Sequence, residues 1–423
     1  MRVLGESGEP RQAFGRRPGI ILAVAAVLTT VAGCTTAPRA GIKAPPLPPT
    51  AIVRPLTPTV AVPARNRVAL LVPTTGANAA VGESIANAAT LALLDTGATK
   101  FDLQVYDTAG GAAAAAARAL ADGAKLFLGP LLAPDVRAMQ AAAAAAGVPV
   151  LAFSNDAALA GSGTFVLGYQ PGQSIARVVA YARGRGIDRF AALVPAGVYG
   201  ERASTAFLRA VESAGGRVIA VQTYPRTSAG LLAAARKLTN YDARAAAATK
   251  TAALRPDGTV AAVTKQVAPV AFQALLIADS GSVAASVAPA LVQFGATTVL
   301  IMGTELWGSE PAITRAAALH GAVFAAVPDN RFRQFGVRYR AKFGGAPSRL
   351  ASLGYDAVLL ANSLATGWVP GTPFPRAGLT AASGFTGVDG FFRLGSNGIA
   401  ERGLEVEQVR AGGFAVIAAA KSE

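Results

Sequence analysis

The sequence predicts an α/β protein built from two Rossmann-like parallel-sheet lobes with a cleft between them. Three observations predict it. Short continuous apolar runs end in loops of Gly, Pro, Ser, Thr, Asn and Asp; segments of helical length and periodicity separate those runs; and the alternation occurs twice along the chain. Strands spaced by helices in this way pair in parallel through right-handed crossovers.

The first round begins at Val68-Ala69-Leu70-Leu71-Val72, a buried-strand pattern that stops at Pro73-Thr74-Thr75-Gly76. Ile85, Ala88, Ala89 and Ala92 then recur at the i, i+3, i+4, i+7 spacing that buries one helix face. A strand over Leu103 to Tyr106, an alanine-rich helix over Ala112 to Asp122, a strand over Lys125 to Leu128, a helix over Pro134 to Ala146 and a strand over Val148 to Phe153 complete it.

The second round has strands at Arg189 to Val194, Arg217 to Gln222, Ala271 to Ala278 and Thr298 to Met302. Between the first two, Ala203, Ala206, Phe207, Ala210 and Val211 share a helix face. A long apolar helix from Arg349 to Thr366 is expected to return to the first lobe. This gives a discontinuous plan: residues 66–186 and about 340–370 in lobe 1, residues 187–339 and about 371–423 in lobe 2.

The N-terminal part follows another logic. Arg2, Arg11, Arg16 and Arg17 precede an apolar stretch from Ile20 to Ala32 that is of signal-peptide length and short for a membrane span. Val31-Ala32-Gly33-Cys34 resembles a bacterial lipobox, and Cys34 is the chain's only cysteine, so residues 1–33 are expected to be a lipoprotein signal and Cys34 the lipidated N-terminus. Thr35 after the cysteine resembles the outer-membrane sorting pattern, which implies a cell-envelope protein facing the periplasm. Residues 34–65, with Ala44-Pro45-Pro46-Leu47-Pro48-Pro49, favour extended polyproline backbone and predict a semi-rigid tether.

Composition narrows the chemistry. The formal net charge is +15, but the arginines are scattered, four lie in the signal, and no nucleic-acid module organises them, so no nucleic-acid partner is expected. Attraction to anionic headgroups or wall polymer fits an exported chain. With one histidine, His320, before Gly321 at a helix end, and no cysteine beyond Cys34, neither a metal site, a cofactor nor catalysis is expected.

Open parallel sheets bind ligands outside the carboxyl ends of their strands. The loops at those ends carry Thr75, Ser154, Tyr199, Asp279 and Glu305, a set of hydroxyls, a phenol and carboxylates. The order of Val68-Ala69-Leu70-Leu71-Val72-Pro73, Gly129-Pro130, Gly147-Val148-Pro149-Val150 and Tyr199-Gly200 resembles the type I periplasmic-binding, or leucine-binding-like, superfamily from Asn66 to the C-terminus. For an amino-acid binder that resemblance implies that Ser154 meets a carboxylate, Tyr199 closes over the ligand, and Asp279 or Glu305 meets an ammonium. Leu131, Leu132 and Ala133 stand where such receptors commonly offer serine.

Two segments, Gly129 to Val136 and Leu238-Thr239-Asn240-Tyr241-Asp242-Ala243-Arg244, resemble the penicillin-binding protein activator (LppC-type) lipoproteins. That resemblance implies a non-catalytic regulator of peptidoglycan synthesis whose partner is a peptidoglycan synthase, with the tether standing where enterobacterial members carry a helical-repeat domain. The alternative is a substrate-binding lipoprotein that delivers an amino acid or related small molecule to an ABC transporter permease. The stretch from Gly230 to Pro269, with Arg236, Lys237, Arg244, Lys250, Arg255 and Lys265, is expected to be a basic helical excursion that binds a partner or remains solvated.

Overall fold

The computed structural model describes residues 65–97, 100–254, 256, 258 and 260–420. The expected signal segment, Cys34 and the tether up to residue 64 lie outside them. Among the described residues no helix is long and apolar enough to cross a membrane.

Lobe 1 opens with β1 (Asn66–Val72), α1 (Ala79–Thr96), β2 (Phe101–Asp107), α2 (Ala112–Ala121), β3 (Ala124–Leu128), α3 (Ala133–Ala145), β4 (Val150–Ala152) and β5 (Thr164–Val166). Its five strands pair in parallel in the order β2-β1-β3-β4-β5. The continuous apolar run of β1 is explained by burial on both sides: Val68, Leu70 and Val72 enter one core with α1, Ala69 and Leu71 enter another with α2 and α3.

The chain then crosses to α4 (Pro171–Gly184), β6 (Arg189–Pro195), α5 (Val198–Ser213), β7 (Arg217–Tyr224), α6 (Ser228–Leu238), α7 (Tyr241–Ala246), β8 (Thr249–Leu254), β9 (Val260–Gln266), β10 (Ala274–Ile277), α8 (Gly281–Gln293), β11 (Leu300–Gly303) and β12 (Val323–Ala326). It returns through α9 (Asn330–Phe343), α10 (Ala351–Leu364), β13 (Phe385–Gly387), β14 (Gly390–Leu394) and β15 (Ala400–Arg402), and ends in β16 (Glu405–Arg410) and β17 (Gly413–Ala418). The second large sheet has the order β17-β16-β12-β11-β10-β6-β7; β7, β6, β10, β11 and β12 are parallel, and β16 and β17 extend it antiparallel.

The lobes do not divide at the expected positions. Residue 186 was the expected end of the first lobe-1 segment, yet Ile175, Val178 and Val179 of α4 are buried with Phe190 and Phe207 in the lobe-2 core. Phe335 and Tyr339 of α9, expected in lobe 2, join the lobe-1 core, as do Val388, Phe392, Leu394 and Ala400 from the three-stranded sheet β13-β14-β15. The reason is the direction of each apolar face: α4 packs on α5, and α10 lies along α1. The lobes are joined by three crossovers, at residues 167–170, 327–329 and 403–404.

The Gly230 to Pro269 stretch is also not wholly helical. It ends in an antiparallel pair, β8 with β9. Thr249, Thr251, Val260, Val263 and Thr264 favour strands, and Gly258 supplies a φ of +82° between them. The side chains of the preceding segment are spent on the fold. Arg244 donates to the carbonyls of Thr239 at 2.7 Å, of Ala268 at 2.6 Å and of Phe294, and Arg236 pairs with Asp242.

One close approach fixes the start of α5 against the end of β6. A Cβ on Gly200 would sit 1.7 Å from the Pro195 carbonyl oxygen, so no side chain fits unless backbone moves. Gly200→Ala is expected to cost about 3 kcal/mol, at the upper end of ordinary overpacking. Gly172→Ala, whose Cβ would meet Ala206 at 3.5 Å, is the control and is expected to be neutral or stabilising. Urea unfolding midpoints of the two variants check this.

Candidate functional site

The five expected ligand residues lie just past the carboxyl ends of β1, β4, β6, β10 and β11, with Tyr199 in the first turn of α5. Their surroundings differ. Thr75 is exposed, and its hydroxyl donates to Asp107 at 2.6 Å. That bond and the amides of Thr74 and Ala109 hold Asp107 down at about 2. Ser154 is buried and its hydroxyl oxygen accepts the Asp156 amide at 3.2 Å. The Thr75 proton is therefore committed to Asp107 at the end of β2, whereas Ser154 accepts one bond and keeps its own proton to donate.

The three lobe-2 residues are brought together. Tyr199 lies 3.3 Å from the Thr304 hydroxyl, and burial, followed by the negative charge of Glu305, raises its phenol pKa. Asp279 accepts from the Tyr224 hydroxyl at 2.6 Å and its own loop amide at Ser280 at 2.8 Å, and pairs with Arg226 at 3.3 Å. Glu305 accepts from the Ser174 hydroxyl, and burial pushes its carboxyl up. Trp307, fully buried against Phe324, donates its indole N–H to the Asp279 carbonyl at 3.0 Å and so joins the loops after β10 and β11. Asp279 thus has both oxygens satisfied by its own lobe, which leaves it poorly placed to receive a ligand ammonium.

An ion pair crosses the crevice. Asp156 of lobe 1, 1% exposed, meets Arg202 of α5 at 2.8 Å and also Arg137 of α3. Against the burial penalty, the Ala158 amide and the two guanidiniums hold this carboxyl below its usual range. Because Arg202 is the cross-lobe partner, Arg202→Ala is expected to widen the interlobe separation while leaving each lobe folded. Small-angle scattering reads this as a larger radius of gyration with an unchanged circular dichroism spectrum.

The hinge is built around a second, buried network that sequence patterns do not reveal. Asp389, fully buried in the turn between β13 and β14, accepts from Arg349 at 2.7 Å and from the Tyr169 hydroxyl at 2.5 Å, with Arg402 at 3.8 Å. Although burial alone would raise its pKa, Arg349 and Arg402 hold it down. Behind it, Asp356 of α10 accepts the amides of Val388 at 2.7 Å and Asp389 at 3.3 Å; burial and the neighbouring Asp389 charge push its carboxyl up. Gly387 makes the approach possible, since a Cβ there would lie 2.3 Å from the Asp356 carboxylate. Arg402 stacks on Tyr169 and Phe392 and donates to the Leu167 carbonyl at 2.6 Å, while Gln173 bonds both the Ala400 carbonyl and the Arg402 amide. The first and third crossovers are thereby tied side by side.

A cavity of about 580 Å³ opens beside this hinge. Both lobes line it: Arg349 and Leu350 just before α10, Ser174 from α4, Glu305 and Leu306 after β11, and Glu405 and Glu407 on β16. Of the five expected ligand residues only Glu305 reaches it. Glu407 is pushed up to about 7 by burial and then by Glu405 and Asp329, with Arg333 and Arg349 opposing.

This shift makes a pH prediction. The folded state holds the Glu407 proton more tightly than the unfolded chain does, so the associated stability is present at low pH and lost as pH rises from about 4.5 to about 7. The full loss is about 3 kcal/mol. Glu407→Gln is expected to remove that slope and to be the more stable form at pH 8. Chemical unfolding of both forms between pH 5 and 8 checks it.

Among the described residues no group of three His, Cys, Asp or Glu side chains is arranged to hold a metal ion. His320 ends a short helical turn, with Nε2 2.9 Å from the Thr314 carbonyl.

Two doubly wound parallel-sheet lobes joined by three crossovers around a crevice define the type I periplasmic-binding fold. The chain belongs to the periplasmic binding protein family, whose model, described as periplasmic binding protein, matches residues 66–413. Among similar solved structures are a branched-chain amino acid ABC transporter periplasmic ligand-binding protein from Burkholderia xenovorans LB400 (16% identity, 85% of this chain and 96% of that one, TM-score 0.65) and a solute-binding protein of an ABC transporter from Rhodopseudomonas palustris BisB5 in complex with 3,4-dihydroxybenzoic acid (18%, 85% and 98%, 0.61). A branched-chain amino-acid transporter substrate-binding protein from Streptococcus pneumoniae, in complex with isoleucine, aligns similarly (17%, 84% and 99%, 0.57). At these identities the likeness is one of fold. A search of curated proteins returns no significant match.

Proposed function

We propose that the protein is the solute receptor of an ABC transporter, capturing a small organic molecule between its lobes and presenting it to the membrane permease. The observation that carries this is the cavity of about 580 Å³ lined from both lobes beside the hinge, large enough for a metabolite-sized ligand. The family and the described functions of the compared proteins support it. Closure about the crossovers is then the working motion. Cys34, acylated after signal cleavage, holds the receptor at the envelope membrane on the periplasmic side, and mass spectrometry of the extracted protein's N-terminus tests that attachment.

An amino-acid clamp of the kind expected from the sequence is weakened at three places: Thr75 and Asp279 are already bonded within their own lobes, and Leu131 and Leu132 offer no hydroxyl, while Ser154 keeps a proton to donate. Thermal-shift screening tests the receptor reading: at a hundred times Kd a bound solute stabilises by about 2.7 kcal/mol. Failure of every solute, together with a protein that carries none when isolated natively, contradicts it.

A second reading, an activator of a penicillin-binding protein in outer-membrane-side wall synthesis, is favoured by one observation. The Asp156 to Arg202 pair bridges the lobes with the protein's own side chains, as a ligand-independent regulator requires. Retention of a synthase from solubilised envelope and stimulation of its transglycosylase rate test this reading; no retention and no stimulation contradict it.

A further inference from the structure

We infer that the hinge-side cavity takes an organic cation, an aliphatic amine with an apolar body, and that Glu407 receives its ammonium group. This rests on the receptor reading but places the charge recognition on β16, away from the strand-end loops.

Glu407 is 6% exposed, lines the cavity, and forms no side-chain hydrogen bond with any described residue. Its carboxyl oxygens open onto the cavity without a donor from the protein, and a ligand ammonium placed there would supply a charge-assisted hydrogen bond. The other carboxylates of the wall are partnered: Glu305 by Ser174, Asp329 by Arg333 at 3.5 Å, and Glu405 by the Asp329 amide. The guanidiniums are also committed, Arg349 directly to the buried Asp389 and Arg402 stacked beside it. The carboxyl left without a partner from the protein is that of Glu407.

Glu405 and Glu407 are two residues apart on β16 and share a face, so both point to the same side. The remaining wall is mixed: Leu306, Val327, Leu350, Leu404, Phe414 and Val416 supply apolar surface, and Gln170, Gln173, Ser309 and Asn330 supply polar groups. An alkyl chain buried there contributes about 0.8 kcal/mol per methylene. With no metal-holding group among the described residues, the cation that fits is organic. The charged groups around Glu407 in the cavity wall are Glu405 on its own strand, Asp329 on the second crossover, Arg333 on α9, Arg349 just before α10, Arg402 on β15 and Glu305 after β11; an added ammonium favours the ionised form of Glu407.

The test is isothermal titration of the full chain with n-butylamine and 1,4-diaminobutane, against n-butanol, isoleucine and benzoate, at pH 6 and pH 8. The amines are expected to bind saturably, more tightly at pH 8 than at pH 6, and at least tenfold more tightly than n-butanol. Glu407→Gln is expected to weaken amine binding at least tenfold and to abolish the pH dependence. Val416→Lys, a change at a half-exposed position on the cavity wall, places a competing ammonium there and is expected to abolish amine binding with the fold retained. Amine binding unchanged in Glu407→Gln overturns the inference, as does equal affinity for n-butanol or no binding of either amine. If isoleucine or benzoate binds while the amines do not, the inference falls and the receptor reading stands.

Discussion

Asp389→Ala is expected to lower the unfolding free energy by about 3–5 kcal/mol, as when one partner of a buried ion pair is removed. The expectation follows from what remains. Arg349 would retain only its contacts with the Tyr169 and Ser352 hydroxyls and its stacking on Phe332, and Arg402, 2% exposed, already has Nε and Nη1 without hydrogen-bond partners. Two neighbouring cations would be left without the carboxylate they share. The same substitution frees Tyr169 and the crossover it anchors, so the loss of stability is expected to come with increased hydrogen exchange at residues 167–173 and 400–404. Replacing Arg349 and Arg402 by methionine in the Asp389→Ala background removes the stranded charges and is expected to restore most of the stability. Urea unfolding of the single and triple variants, read with exchange at those two segments, checks both parts.

Trp307→Ala is expected to cost about 3–5 kcal/mol, the usual range for deleting a fully buried large aromatic side chain. Trp307 is buried against Phe324, and Gly303 admits it: a Cβ there would lie 2.2 Å from the indole ring. Its N–H holds the Asp279 carbonyl, so the loss is not only of packing. The loop after β10 is expected to loosen, carrying with it the Tyr224 and Arg226 contacts to Asp279. Trp307→Phe keeps most of the volume but not the donor and is expected to recover roughly half of the loss; unfolding midpoints of the pair separate packing from the hydrogen bond.

Much of the scaffold was legible because its signals are local. Continuous apolar runs such as Val68 to Val72 and the helical spacing of Ile85, Ala88, Ala89 and Ala92 translate directly into β1 and α1, since a parallel strand covered on both faces must be apolar throughout. The cleft loops follow from the same rule, because they are the strand ends. The lobe membership of α4 and α9 was not legible: each has one apolar face, and nothing local says which sheet that face meets. The small sheet β13-β14-β15 has strands of three to five residues with too few positions to show alternation.

The site was less legible for a related reason. Thr75 and Asp279 have the right chemistry at the right topological positions, but their partners Asp107 and Tyr224 come from other turns of the chain. Asp389 in Val388-Asp389-Gly390 reads as an ordinary turn residue, and its partners Arg349 and Tyr169 are 40 and 220 residues away. Glu405-Val406-Glu407 reads as a solvated strand edge, and only β17 and the hinge-side wall bury Glu407. A carboxylate two residues from another on a strand between apolar neighbours was the available signal, and it is weak.

The central claim is that two lobes hinge about the network of Asp389, Arg349, Tyr169 and Arg402 and close on a small molecule. The direct measurement is the distance between spin labels at Ala109→Cys, just beyond β2, and Thr223→Cys, at the carboxyl end of β7, in a Cys34→Ser background. It is recorded on natively isolated protein, after its bound solute has been stripped, and again after the extract is returned. The account predicts a single short distance that lengthens on stripping and is restored by the extract. One unchanged distance in all three samples would contradict it.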